Sequence, residues 1–320
     1  MQQLKIYRLL LILFVVTTGC KGNSSMEIIN DRSFDNGIHL RGNSSSYPEP
    51  IATIFPWSGT RWEIPAREKT KPEWAIAQWG SNHVMKDIAP RIAGDTTFYQ
   101  NEAKRMYFIK NKETKNTLIG LEVFASKEYP APREDGEDWV HLLLERNFTE
   151  APFLKDVEKL TYAIKSKLLF CENKTGEEYT PGLHTAQVTL FLTIQNRNEQ
   201  STAYGDFFWF GLPLYDYRYE DIPEYAAQDL GKEDATRKFI YTVAASQIFD
   251  TSMHHFGWIT VQEDIYPFIK NAFETCKKNG YMDGSHFNDL AISSMNVGWE
   301  VPGTFDCGIL FECPSLTAVL

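Results

Sequence analysis

The stretch 294–300, which reads Ser-Met-Asn-Val-Gly-Trp-Glu, contains the residue types that acid–base chemistry needs, in a spacing typical of a β-strand. Successive side chains of a strand point to opposite faces, so its polar residues share one face and its Met, Val and Trp share the other. Glu300 ends the polar face, and Gly298 is expected to leave space beside it for a bulky substrate. A glutamate in such a setting can act as a general acid. The same spacing also fits an ordinary strand in which Glu300 faces solvent.

Short runs of β-type residues separated by turns extend from about residue 51 to the end of the chain. Aromatic residues are abundant, with 21 Phe, 15 Tyr and 8 Trp, and this excess favours sheets over helical bundles. No βαβ alternation and no internal repeat is visible, so the pattern predicts an all-β fold, an antiparallel sandwich or barrel. The predicted strands are 74–79, 105–110, 117–125, 139–146, 160–171, 186–195, 207–214, 239–245, 258–262, 290–301 and 305–313.

One helix interrupts this pattern. Apolar residues between 265 and 276 follow the i, i+3, i+4, i+7 spacing of an amphipathic helix, and Lys277 and Gly280 fit the preferences of a helix C-terminus. We expect the apolar face of this helix to pack against the convex side of a sheet. The segment 215–238, rich in acidic residues and tyrosines, is the longest irregular insertion and is expected to form a loop at the edge of a cleft.

The balance of charge argues against nucleic acid or an anionic membrane surface as the main partner. The 320 residues carry a formal net charge of −10, and removal of a leader with Lys5 and Arg8 would make it more negative. Binding a polyanion needs a concentrated positive patch, which this charge does not predict.

The first 20 residues have the layout of an export signal. Lys5 and Arg8 precede the apolar run 9–16, which is too short to span a bilayer, and the segment ends in Thr-Thr-Gly-Cys. The small residues before Cys20 resemble the lipobox of bacterial lipoproteins. This resemblance implies a signal peptide over residues 1–19 and a lipid group on Cys20, which would hold the protein on a membrane of the bacterial cell envelope, expected to be the outer membrane. A plain signal peptide with a chance cysteine is the alternative.

Residues 20–50 are rich in Ser, Asn and Gly and show no sustained apolar period. We therefore expect a lipidated, flexible tether there and a single β-sandwich domain over residues 51–320. The acidic cluster that marks many surface-exported lipoproteins is missing after Cys20, which leaves both the periplasmic and the surface-facing side of the membrane open.

The other cysteines and the histidines do not indicate a metal site. Adjacent His254 and His255 would point to opposite faces of a strand, so they are poorly placed to share a metal ion. No close CxxC pair, glycine-rich phosphate loop or nucleophile elbow is present, and neither a metal nor a cofactor is expected. Free, buried cysteines are expected, with disulfide pairing left open. The cysteines after the leader are Cys171, Cys276, Cys307 and Cys313.

The order of elements from residue 204 to residue 313 resembles the C-terminal half of the family 12 glycoside hydrolases, which have the concanavalin A-like lectin/glucanase fold. In that family a single amphipathic helix precedes a strand reading roughly Ser-x-Gln-x-Gly-x-Glu, whose Glu is the acid/base, and a last strand follows. Residues 294–300 match that strand with Asn296 in place of Gln. The resemblance covers about a third of the chain. It implies a jelly-roll sandwich with Glu300 as general acid.

The same resemblance places the nucleophile strand at 205–212, where the position closest to the expected Glu is Asp206. An Asp is one methylene shorter, so a retaining mechanism, with carboxyls about 5–5.5 Å apart, would need a shifted backbone. A gap of about 6.5–9.5 Å would suit an inverting mechanism, and a separation above about 10 Å would exclude this pair. Asp206 after Gly205 also fits a plain turn. Glu122 and Glu145, each a lone Glu in a predicted strand, are reserve candidates.

Sugar binding needs flat apolar surfaces for pyranose rings and polar groups for their hydroxyls. Polar and apolar residues alternate over 186–195, which gives a second strand with a face suited to hydroxyl contacts. The expected substrate-binding residues are Asn296, Phe208, Phe210, Trp57 and Trp62.

These features predict an exported, lipid-anchored, glucanase-like protein that binds a polysaccharide or oligosaccharide and could hydrolyse it with Glu300 and Asp206. Two other functions fit the same sequence. One is a non-catalytic glycan-binding lipoprotein of the same fold, which an Asp at position 206 favours. The other is a structural or interaction lipoprotein whose cleft is filled by its own side chains.

Overall fold

The structure, a computed structural model, describes residues 24–44, 49–111, 116–230 and 235–320. Within these residues the only α-helix is α1 (Tyr266–Lys278). The strands are β1 (Ser25–Glu27), β2 (Ile38–Arg41), β3 (Pro50–Ile54), β4 (Trp74–Ala77), β5 (Arg91–Ala93), β6 (Thr96–Gln100), β7 (Lys104–Lys110), β8 (Thr117–Phe124), β9 (Val140–Asn147), β10 (Lys159–Asn173), β11 (Gln187–Asn196), β12 (Phe207–Asp216), β13 (Tyr225–Gln228), β14 (Phe239–Thr242), β15 (Trp258–Asp264), β16 (Leu290–Val301), β17 (Phe305–Glu312) and β18 (Ser315–Val319).

The strands form two sheets. Sheet A has the order β1-β18-β10-β17-β8-β7-β6-β5, with β15 also paired to β10, and sheet B has the order β13-β14-β12-β11-β16-β9-β4-β2-β3. Neighbouring strands of the described chain are antiparallel except for two pairs, β12 with β14 and β2 with β4. The predicted all-β, two-sheet sandwich with one amphipathic helix is therefore confirmed.

The apolar core lies between the two sheets. In β16 the side chains of Met295, Val297 and Trp299 are buried, as the alternation in sequence predicts. The indole Nε1 of Trp299 donates to the carbonyl of Leu121 in β8 at 3.0 Å, which connects the two sheets through the core. Because the apolar face of β16 packs in the core between the sheets, the polar residues of this strand must face away from sheet A.

Helix α1 closes one edge of the sandwich. Its bounds agree with the predicted apolar period, and Ile269, Phe273 and Cys276 are buried. The helix contacts β10 of sheet A and also β12 and β14 of sheet B, so it does not lie on the convex side of one sheet as expected. Its apolar face fits between the sheets, where the ring of Phe273 lies 6.5 Å from that of Phe208 in β12.

The N-terminal part of the described chain belongs to the domain. Strand β1 pairs with β18, β2 pairs with β3 and β4, and Phe34 and Ile38 are buried. The backbone N–H of Leu320 donates to the carbonyl of Ser24 at 2.9 Å. The flexible tether expected over 20–50 is therefore wrong for the described residues of that range, which already belong to the sandwich before residue 51. These strands are short and some of their partners lie far away in sequence, so their apolar residues form no local period.

Cys20 and the expected signal peptide lie outside the described residues. In the described ranges no helix is long and apolar enough to cross a membrane. The four later cysteines are unbonded; Cys171 is half-buried, and Cys276, Cys307 and Cys313 are buried.

Candidate active site

The face of sheet B that turns away from the core forms the floor of a groove of about 650 Å³. Strands β9, β11, β12, β14 and β16 contribute to the floor, and residues between 218 and 230 form a wall. The insertion therefore lies at the edge of a cleft, as predicted, although it also contains the short strand β13. The aromatic side chains that line the groove include Trp79, Trp139, Phe191, Trp209, Tyr219 and Tyr225.

Four side chains form a line across this floor, and we call them the cross-strand row. Gln187 of β11 is the register partner of Glu300 in β16 on one side and of Asp216 in β12 on the other. His141 of β9 is the partner of Glu300 on its second side. Directly opposite residues of neighbouring strands project to the same face. The cross-strand row is therefore Asp216, Gln187, Glu300 and His141.

Glu300 is held by both of its neighbours in the row. Gln187 Nε2 donates to Oε2 of Glu300 at 2.7 Å, and Nε2 of His141 lies 3.8 Å from Oε1. The glutamate side chain is 20% exposed, so it reaches the groove although its position is fixed.

Gly298 has a different role from the one expected. Its φ of +150° lies in a region that favours glycine, and a Cβ at this position would lie 2.3 Å from the carbonyl oxygen of Leu142 in β9. The glycine therefore permits the close approach of β9 and β16 and does not clear space for a ligand. This approach brings His141 beside Glu300.

The contacts of His141 define which of its nitrogens carries a proton. Nδ1 lies 2.9 Å from the carbonyl oxygen of Trp139 and 3.3 Å from that of Trp79. A carbonyl can only accept, so Nδ1 must be the donor, and Nε2 is the nitrogen that faces Glu300. The indole rings of Trp79 and Trp139 lie 5.6 Å and 5.8 Å from the imidazole and hold it in place.

Asp216 ends the row on the opposite side of the groove. Thr185 Oγ1 donates to its Oδ1 at 2.9 Å, and Arg218 donates from Nε to Oδ1 at 2.9 Å and from Nη2 to Oδ2 at 2.6 Å. The hydrogen bonds from Arg218 to Asp216 raise the pKa of Arg218. Two strand spacings separate Asp216 from Glu300, which puts their Cα atoms about 10 Å apart.

Asp206 does not lie near Glu300, so the predicted catalytic pair is wrong. Asp206 immediately precedes β12 and lies beside Asn196, at the opposite end of β11 from Gln187. About 30 Å of strand separates these two levels. Its carbonyl accepts from the backbone N–H of Asn196 at 2.8 Å, and its Oδ1 accepts from Lys238 Nζ at 2.7 Å. Asp206 is thus a residue of the turn between β11 and β12, the plain reading of Gly-Asp.

Phe208 and Phe210 cannot contact a substrate, because both are fully buried in the core. The face of β12 that was expected to line the groove therefore packs in the core. Trp209, on the opposite face of the strand, lines the groove instead. A shift of one residue exchanges the two faces of a strand, and the sequence has large aromatic residues on both.

The other expected substrate-binding residues divide between groove and core. Asn296 lines the groove, opposite Phe191 and Glu145 in the neighbouring strands. Trp57 is buried, with Nε1 donating to the carbonyl of Ser33 at 2.6 Å, and Trp62 packs half-buried against the core. Neither tryptophan lines the groove.

The reserve glutamates lie on different sheets. Glu145 of β9 forms an ion pair with Arg41, and burial raises the pKa of Glu145. Glu122 of β8 lies in sheet A and pairs with Arg105 at 2.8 Å, away from the groove. In the described part of the chain, no group of three or more His, Cys, Asp or Glu residues could hold a metal ion.

The residues that sequence reasoning missed are His141, Asp216 and the tryptophans beside them. The strand 139–146 was predicted, and alternation places His141 and Glu145 on one face. What the sequence lacked was the register that sets His141 opposite Glu300 and Asp216 opposite Gln187, because pairing between distant strands leaves no local pattern.

No protein-family model matches the chain, and comparison with curated proteins finds no relative. Several solved structures are similar in outline. Endoglucanase Cel12A from Rhodothermus marinus is 10% identical, covers 73% of this chain and 96% of its own, and has a TM-score of 0.37. A native family 12 xyloglucanase from Bacillus licheniformis is 8% identical, with coverages of 73% and 98% and a TM-score of 0.41. Endoglucanase 3 from Trichoderma harzianum is 9% identical, with coverages of 79% and 100% and a TM-score of 0.39.

Similarity at this level establishes no shared family. The fold and the site define a two-sheet β-sandwich with an aromatic-lined groove and a cross-strand row of polar side chains.

Proposed function

We propose that the groove binds a polysaccharide or oligosaccharide and that Glu300 cleaves it as a general acid. The observation that supports this most is the position of the cross-strand row on the floor of a groove, with Trp79 and Trp139 beside His141 at one end of the row and Trp209 further along β12 in the same groove. Pyranose rings bind flat aromatic faces through their C–H groups, and their hydroxyls need polar partners.

Glu300 can carry the proton that cleavage of a glycosidic bond requires. Nε2 of His141 lies 3.8 Å from Oε1 of Glu300, so the imidazole and the carboxyl are placed to exchange a proton. A protonated Glu300 can donate it to His141 in the free protein or to the glycosidic oxygen of a bound chain. Gln187 fixes the second oxygen of the carboxyl and so orients the first.

Asp216 takes the place of Asp206 as the second carboxylate of this proposal. Its Cα separation from Glu300, about 10 Å, is compatible with the carboxyl separation of about 6.5–9.5 Å that inverting enzymes use. In that mechanism the second carboxylate activates a water molecule on the far side of the sugar ring. Arg218 and Thr185 orient the Asp216 carboxyl.

Glycan binding without cleavage is the second candidate, and the same contacts of Asp216 favour it. Arg218 donates to both carboxylate oxygens, and Thr185 adds a third bond, so few lone pairs remain for a water molecule. A structural lipoprotein with a filled cleft is not favoured, since the groove is about 650 Å³ in volume.

We also propose that the protein is exported and anchored through lipid on Cys20 in the outer membrane of a bacterial cell envelope. The support is the charged, apolar and small-residue order of the first 20 residues. The side of the membrane that displays the domain is left open.

The test of cleavage measures reducing ends released from carboxymethyl cellulose, mixed-linkage β-glucan, xyloglucan and xylan. We expect E300Q to lose activity by roughly 10²–10⁴-fold, because an amide cannot donate the acid proton. E172Q is the matched control: Glu172 is exposed on β10, in sheet A, and its removal should leave the rate unchanged.

Affinity electrophoresis of the same variants in the same polysaccharides separates binding from cleavage. A mobility shift retained by E300Q, together with lost activity, supports the acid role. Binding by a wild-type protein that releases no reducing ends from any polymer rejects cleavage and favours the second candidate. If the wild-type protein neither binds nor cleaves any of these polysaccharides, both candidate functions are rejected.

A further inference from the structure

Two of the four described cysteines face each other across neighbouring strands. Cys171 of β10 is the direct register partner of Cys307 in β17, between the pairs Phe170–Gly308 and Glu172–Asp306. Directly opposite Cα atoms in an antiparallel pair lie about 4.5–5.5 Å apart, inside the range of about 4.4–6.8 Å that a disulfide spans.

Both side chains point to the inner face of sheet A. Cys307 is fully buried, and Cys171 packs half-buried against the same core. Burial, and next the nearby Cys171, raise the pKa of Cys307. The register shift between Leu168 and Phe170 lies just before Cys171, where an irregular strand can adjust to a new bond.

The pair lies next to the strand that ends in the cross-strand row. Tyr215 lies close enough to Cys171 that the thiol, after burial, helps to raise the pKa of Tyr215, and Tyr215 immediately precedes Asp216. The Tyr215 ring lies 5.8 Å from Trp299, the residue before Glu300. A covalent bond at Cys171 would therefore fix sheet A directly under the groove.

We propose that Cys171 and Cys307 close into a cross-strand disulfide when the chain folds under oxidising conditions, while Cys276 and Cys313 stay reduced. Cys276 lies on α1 and Cys313 follows β17, and neither is a register partner of another cysteine in the described sheets. This bond would make the native exported protein stiffer than the reduced one.

Thiol–disulfide exchange supplies the chemistry, with a small-molecule disulfide such as oxidised glutathione as the oxidant. The Cys171 thiol loses its proton and its sulfur attacks one glutathione sulfur, which forms a mixed disulfide and releases one glutathione as the thiol. The Cys307 sulfur, also deprotonated, then attacks the Cys171 sulfur. The protein disulfide forms, the mixed disulfide breaks and the second glutathione leaves, so two cysteines are oxidised and one glutathione disulfide is reduced.

The timing follows from burial. In the folded protein burial raises the pKa of Cys171 to about 12, so little thiolate is present near neutral pH and exchange is slow. During folding both thiols are exposed. Refolding with oxidant should therefore form the bond, whereas the same oxidant added to the folded, reduced protein should form it far more slowly.

The experiment refolds the reduced, denatured full chain in mixed oxidised and reduced glutathione, alkylates the free thiols and digests the product for mass spectrometry. We expect a linked peptide pair containing Cys171 and Cys307, with Cys276 and Cys313 alkylated. C276S is the matched control and should give the same linked pair. Because the readout is covalent mass, its failure would be independent of any failure of glycan binding or cleavage.

Thermal unfolding gives a second measurement. Reduction should lower the Tm of the refolded wild type and of C276S by about 5–10 °C, and it should leave the Tm of C307S unchanged. Refolded protein with both Cys171 and Cys307 alkylated, or a bridge from either residue to another cysteine, would overturn the proposal.

Discussion

Glu145 occupies the groove face of β9 with a carboxyl buried against Arg41. Burial raises its pKa from the ordinary 4.5, so the folded protein holds this proton more tightly than the unfolded chain does. The contribution of this raised pKa to the free energy of unfolding is fully present below about pH 4.5. It is lost as the pH rises through the pKa that Glu145 has in the folded protein. We expect E145Q, which stays neutral, to lose less stability than the wild type between pH 4 and pH 7. Urea unfolding at several pH values measures this difference.

E172Q serves as a matched control for this titration, since Glu172 is exposed. Its unfolding midpoint should follow that of the wild type at every pH. A midpoint of E145Q that falls as steeply as that of the wild type over the same pH range would show that Glu145 is not the group responsible.

Strand β12 has an aspartate at each end, and only Asp216 reaches the cross-strand row. The sequence resemblance pointed to Asp206 because a short motif identifies a strand without fixing its register. Glu300 and Asn296 were found because alternation within one strand is local. His141 and Asp216 required knowledge of which strands are neighbours, and that information is distributed over the whole chain.

At the scale of elements, the approach of β9 to β16 depends on Gly298. Replacing it by Ala puts a Cβ 2.3 Å from the carbonyl oxygen of Leu142 and requires a side chain at φ +150°. We expect G298A to lower the free energy of unfolding by about 2–4 kcal/mol and to reduce any activity of Glu300, since His141 would move away from it. Chemical denaturation and the reducing-end assay measure the two effects.

Gly182 provides the control for this substitution. A Cβ there would meet no atom within 4 Å, so G182A should be close to the wild type in both measurements. If G298A unfolds at the same denaturant concentration as G182A, the close approach of the two strands does not need a glycine.

Long elements were the ones that the sequence predicted well. The helix and the long strands β10, β11 and β16 carry enough residues to show a period, and all were expected close to their observed positions. Strands of three to five residues, such as β1, β2 and β13, are too short for a period and depend on their partners. For this reason the domain boundary was placed at 51, although β1, β2 and β3 already belong to the sandwich.

At the scale of the whole molecule, the proposed lipid anchor is the feature that locates the domain. We expect the wild-type protein, produced in a bacterial host that processes lipoproteins, to sediment with membranes, and C20S to appear in the soluble fraction, because the thiol that accepts lipid is absent. Ultracentrifugation and immunoblotting measure the distribution. C171S should stay with the membranes, and a wild type found only in the soluble fraction would contradict the anchor.

The pairing of β1 with β18 limits how far an anchored domain can move. Ser24 is hydrogen-bonded to Leu320, so a lipid on Cys20 would lie within four residue steps of the sandwich, which span at most about 14 Å. A tether of that length cannot search the space above a membrane in the way that a 30-residue one could. The groove of an anchored protein would stay close to the membrane on either side, and a polymer would have to come to it.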